Sequence, residues 1–139
     1  MRKWIVLAAA VLAGCAGADR PGAPGEPAPW TMLAEGDQPA DPPGRDARMR
    51  VLETPAGFER AYRAMTGAAP PVVDFERYRV LLLDLGARPS AGYGIGVAAV
   101  RHTQAGVVVR VRVRRPRGEG CMQAAVMTRP YQLVRIPAA

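Results

Sequence analysis

Apolar and polar positions divide this chain into a front with little periodicity and a strongly patterned back. Trp4 to Ala13 is an uncharged apolar run of ten residues, and residues 16–29 (AGADRPGAPGEPAP) then show no apolar period at all. Trp30–Ala34 reads as a first short strand with Trp30 as a core anchor, and residues 36–47, rich in Asp and Pro, read as a loose connection. Met49–Glu53 is a second short strand. Thr54-Pro55 is a helix-start signal, a hydroxyl N-cap followed by Pro at the first helical position. Phe58, Ala61, Tyr62 and Met65 then recur at three- and four-residue spacing, and Gly67 closes the turn, so the pattern predicts a helix over about 55–66.

The second half changes period. Val80-Leu-Leu-Leu-Asp-Leu85 is a short apolar run followed by turn residues, the pattern of a strand buried on both faces. Tyr93–Arg101 is a Gly-interrupted apolar strand, and His102–Gly106 fits a hairpin turn. From Val107 to Arg114 the alternation is strict. Val107, Val109, Val111 and Val113 point one way, and Arg110, Arg112 and Arg114 the other, as in a half-buried antiparallel strand. After a break at 116–120, two last strands are expected near Met122–Met127 and Tyr131–Ile136, with Pro130 at the bend between them. The fold class is therefore α+β, mainly antiparallel β with one helix, in a small single domain over residues 30–139.

Composition agrees and sharpens the picture. With 49% apolar residues the chain can build a core, and its 15 Gly and 14 Pro argue for turns and against a helical bundle. The formal charge is +7, and two of the cations, Arg2 and Lys3, belong to the front segment. Every later basic residue is an arginine, which a coding bias explains as well as attraction to anionic headgroups or an acidic partner does. Aromatic residues are too few for a base-stacking platform, so no nucleic-acid partner is expected.

The first 14 residues have the zones of an export leader: a positive Met1-Arg2-Lys3, then an apolar run too short to span a bilayer permanently. Leu12-Ala13-Gly14-Cys15 resembles the bacterial lipobox. That resemblance implies cleavage before Cys15, fatty acylation (palmitate-type chains) of the thiol and the freed amine, and a membrane-lipid anchor. At about 0.8 kcal/mol per buried CH₂, two or three chains hold firmly. Ala16 follows rather than an Asp, which by resemblance to Gram-negative lipoproteins implies the outer membrane, facing the periplasm. Residues 15–29 then form a lipidated, Pro/Gly-rich tether.

Five short motifs carry a second resemblance. They are Val73-Asp-Phe75, Leu85-Gly-Ala-Arg-Pro-Ser-Ala-Gly-Tyr93, the alternating strand at 107–114, Gly120-Cys-Met-Gln123 and Thr128-Arg-Pro-Tyr-Gln-Leu-Val134. Together, over 73–137, they resemble the C-terminal domain of the protease complex subunit PrcB family. The resemblance implies a β-rich, exported, non-catalytic accessory module with an envelope protein, such as a protease, as partner. The Pro89–Tyr93 stretch also resembles the loop with which chagasin-type inhibitors enter cysteine protease clefts. Here Arg88 stands where that pattern has Asn.

Candidate chemistry is thin. One serine (Ser90), one histidine (His102) and, after acylation of Cys15, one free cysteine (Cys121) make neither a convincing triad nor a zinc site. Ser90 lies outside a Gly-x-Ser-x-Gly elbow and reads as a turn former. Gly92-Tyr-Gly-Ile-Gly96 follows a strand but opens no helix, so the dinucleotide reading is rejected. Asp84 is expected at its strand's end, paired with an arginine. Cys121 reads as a small buried side chain or as half of an intermolecular disulfide. No catalytic residue, cofactor or metal is expected. The contact candidates are Arg88, Pro89, Ser90, Gly92 and Tyr93 in one loop and Arg110, Arg112 and Arg114 in one row.

Overall fold

Val80, Leu81, Leu82 and Leu83 are buried on both sides of one strand, and the fold is layered around them. The computed structural model describes residues 25–39, 46–117 and 126–139. In chain order its elements are β1 (Glu26–Pro27), β2 (Thr31–Pro39), β3 (Arg48–Leu52), α1 (Pro55–Thr66), β4 (Tyr78–Asp84), β5 (Gly94–Thr103), β6 (Gly106–Arg114) and β7 (Thr128–Pro137). They make a four-stranded sheet of order β2-β7-β4-β3 and a three-stranded sheet of order β1-β5-β6, antiparallel throughout.

Alternation assigns the two faces of β4 to different cores. Leu81 and Leu83, with Val134 and Ile136 of β7, meet Val100 of β5 and Val107, Val109 and Val111 of β6 between the sheets. Val80 and Leu82, with Leu133 and Tyr131 of β7, face the other way and receive Phe58 and Ala61 of α1. A strand covered on both faces must be apolar at every position, which explains the continuous run. Each fully buried Leu or Val contributes about 1.5–3 kcal/mol.

The helix begins and ends where its capping residues dictate. The Thr54 hydroxyl accepts the Gly57 N–H at 3.2 Å. Pro55 occupies the first turn, and Gly67 at φ 72° donates its N–H to the Arg63 carbonyl at 2.8 Å. Phe58 packs edge-on against Tyr62 and tilted against Phe75, so the segment entering β4 also covers the helix. The Gln38 side-chain amide on β2 donates to the Ala64 and Met65 carbonyls at 2.6 and 2.8 Å, satisfying acceptors that the last helical turn leaves open.

Several boundaries differ from expectation. Glu26 and Pro27, assigned to the tether, pair with His102 and Arg101 as β1. Trp30 is 37% exposed rather than a core anchor, because it precedes β2 and the apolar interior is already filled by Leu and Val. Residues 36–39, expected in a loose connection, continue β2 along β7, since Pro39 at a strand's end costs no interior ladder bond. Pro130 lies inside β7, not at a bend. The expected strand near Met122–Met127 lies mostly outside the described residues, and Val126 and Met127 are exposed and not in a strand. The hairpin tip is Gln104-Ala105, so His102 is an exposed strand residue of β5.

Candidate binding surface

The Leu85–Tyr93 loop leaves β4 and is laced to the start of β7 along its length. Asp84 ends β4 and receives Arg129 Nε at 3.0 and 3.2 Å, with Nη2 completing a bidentate pair. The Gly86 N–H also donates to Asp84 at 2.9 Å, and Gly86 turns the chain at φ 76°. The Leu85 N–H donates to the Pro130 carbonyl at 2.9 Å. Arg88 and Thr128 exchange both backbone hydrogen bonds, at 2.7 and 2.9 Å, and the Thr128 hydroxyl donates to the Ser90 carbonyl at 3.1 Å. Gly92, at φ 94°, then redirects the chain into β5.

Asp84 is 6% exposed yet remains ionised. Burial works to raise its pKa, but the hydrogen bonds from Arg129 and Gly86 and the charges of Arg129 and Arg48 outweigh that and hold it below the ordinary carboxylate value. The partner is affected in the opposite sense: the carboxylate raises the Arg129 pKa above its usual range. An ion pair therefore fixes the base of the loop, as expected for Asp84.

The pinned loop faces the end of β6 across an open cleft of about 470 Å³. Ala87, Arg88, Pro89 and Tyr93 of the loop line it together with Val113 and Arg115 at the end of β6 and Met127. Of the loop candidates, Arg88, Pro89 and Tyr93 reach the cleft, whereas Ser90 and Gly92 shape the turn. No local sequence pattern marks Ala87, Val113, Arg115 or Met127 as cleft residues, because tertiary packing alone brings them together. Arg115 directly follows the arginine row in the chain, and Met127 carries no periodic signal.

Arg110, Arg112 and Arg114 are exposed on the outer face of β6, while Val107, Val109 and Val111 are buried behind them. Arg110, Arg112, Arg114, Arg115 and Arg117 form no ion pair among the described residues. Across the sheet, the register sets Gly94, Gly96 and Ala99 of β5 opposite Arg114, Arg112 and Arg110. The missing Cβ atoms are used: one on Gly94 would lie 3.1 Å from Arg114 Nη2, and one on Gly96 would lie 3.1 Å from Gln132 Nε2. Gln132, buried on β7, uses its carbonyl to accept the Val97 N–H at 2.8 Å, beside the bulge in β5.

Cys121 and Cys15 lie outside the described residues, so the structure places neither. Among the described residues no group of three His, Cys, Asp or Glu side chains could hold a metal ion. No described helix is long and apolar enough to cross a membrane.

No curated protein and no solved structure matches this chain. The stretch running from β4 through the loop, the β5–β6 hairpin and β7, residues 80–137, matches the family model described as PrcB C-terminal.

Proposed function

We propose that this chain is a lipid-anchored envelope lipoprotein whose β-rich domain is a non-catalytic, protein-binding accessory module working alongside a protease complex. The observation that carries the reading is the cleft. A loop pinned to β7 holds Arg88, Pro89 and Tyr93 in one cleft with Val113 and Arg115, and β6 also carries an arginine row that forms no ion pair among the described residues. A lining that mixes guanidinium groups with Pro89, Tyr93, Val113 and Met127 suits an acidic, partly apolar protein segment. The PrcB C-terminal match supports the accessory role. The leader and Leu12-Ala13-Gly14-Cys15 support the anchor, with Ala16 favouring the outer membrane. The Thr128–Ser90 hydrogen bond supports a turn-forming role for the only serine.

The test is recovery of a partner from detergent-solubilised envelopes. The full chain is expected to retain one specific protein, and the triple variant Arg110→Ala/Arg112→Ala/Arg114→Ala to lose it with unchanged thermal unfolding. Equal recovery by both, or no partner with either, overturns the reading. A second reading, protease inhibition through Arg88–Tyr93, draws on the same pinned loop, which leaves Pro89 exposed at its crest. It requires the purified chain to inhibit a papain-like protease and Tyr93→Ala to abolish that inhibition.

A further inference from the structure

The outer edge of β6 adds a feature that a generic docking patch lacks. β6 is the last strand of its sheet, nine residues long, and among the described residues its only strand partner is β5. In an antiparallel edge strand, alternate residues direct their N–H and C=O groups away from the sheet. Along this edge, Arg110, Arg112 and Arg114 project from one face and Val109 and Val111 from the other. We propose that β6 receives an acidic, extended segment of the partner protein as an added strand, its carboxylates repeating at every second residue opposite the arginine row.

Geometry and charge select this occupant. Side chains two apart on a strand repeat at about 6.8 Å, so a second strand is the element whose own repeat stays in phase with the three guanidiniums. Its intervening residues would turn to the inner face, the side on which Val109 and Val111 enter the inter-sheet core. Next to the row, β5 offers Gly94, whose missing side chain lets the Arg114 guanidinium lean across the sheet. A bilayer presents a plane of phosphates, whereas these charges stand in one line along an edge. A second copy of this chain pairing through β6 would set arginine against arginine, and like charges directly opposite destabilise a strand pair. The added strand would also run toward the cleft, which Val113 and Arg115 at the end of β6 help to line.

The proposal rests on the protein-binding reading above, and its test separates the two. A labelled nine-residue peptide with Glu at alternate positions and Val or Thr between is titrated into the full chain in mild detergent. It is expected to bind and to slow hydrogen exchange of β6 amides. Grouping the same glutamates into one block, or replacing the three arginines by alanine, should weaken binding about tenfold or more, the combined effect of three cross-strand charge pairs. N-methylating one alternate set of peptide amides should abolish binding, while the other set is tolerated, because only one edge of the added strand pairs. Equal binding of blocked and alternating peptides, equal tolerance of both methylated sets, or binding confined to vesicles containing anionic lipid would overturn strand addition. If the peptide fails while the envelope partner is still recovered and still lost in the arginine variant, strand addition alone falls. If that partner is also absent, both readings fall.

Discussion

Asp84 shows how one side chain joins stability to the candidate site. It is buried at the end of β4, and its bidentate pair with Arg129 holds the loop against β7. Removing the cation leaves a buried carboxylate uncompensated, so Arg129→Ala is expected to cost about 2–4 kcal/mol in urea unfolding at neutral pH. Asp84→Asn should cost less, since its amide can still accept from Gly86. The pH dependence follows from the lowered pKa. The folded state binds fewer protons at this site than the unfolded state does. Its contribution is therefore complete above the unfolded carboxylate value of about 3.9, and is lost as pH falls through the lower folded value. The wild type should accordingly show a steeper acid limb below pH ~4 than Asp84→Asn, measured as unfolding free energy against pH. Gly25 is a second residue with a specific demand. At φ 124°, a Cβ there would sit 2.3 Å from the His102 carbonyl oxygen, so Gly25→Ala should loosen β1 and expose to hydrogen exchange the Ala28 amide, which donates to the Val100 carbonyl at 2.9 Å.

At the scale of elements, β4 holds the architecture together. It is paired on both edges, by β3 and β7, and covered on both faces, by the three-stranded sheet and by α1. Leu81→Ala should therefore destabilise by about 2–5 kcal/mol, because a position packed between two sheets cannot collapse onto the void. Thr54→Ala, which removes a single exposed cap hydrogen bond, should cost only about 1 kcal/mol. β6 is a contrasting element, with one face buried and the other exposed. There Gly94→Val is expected to displace the Arg114 guanidinium and weaken partner recovery while leaving the unfolding midpoint nearly unchanged.

For the whole molecule, the loop, the cleft and the arginine row all lie along the stretch matched by the PrcB C-terminal model, whereas α1 and β1–β3 precede it. The proposed anchor belongs to the opposite end of the chain. Cys15→Ser is expected to leave the protein without its acyl chains, shifting it out of the detergent phase in Triton X-114 partitioning and slowing release of its leader on a gel. Partner recovery by the arginine row should also fall steeply between low and physiological salt, because exposed charge pairs are screened beyond a Debye length of about 8–10 Å.

What the sequence alone determined is local or periodic. The caps and stripe of α1, the apolar run of β4, the Val/Arg alternation of β6 and the glycine turns each follow from a few consecutive residues obeying one period or one backbone requirement. The matched family could be read from short motifs for the same reason, since these lie along the chain in order. Tertiary structure decided everything that depends on which strand lies beside which. It carried β2 through Pro39 because β7 was there to pair with it, and it absorbed Pro130 into β7. It left Trp30 at the surface once leucines had filled the interior, and it brought Arg88 and Tyr93 into one cleft with Arg115 and Met127. Those contacts join residues far apart in the chain through hydrogen-bond register and layer packing, and no local pattern encodes either one.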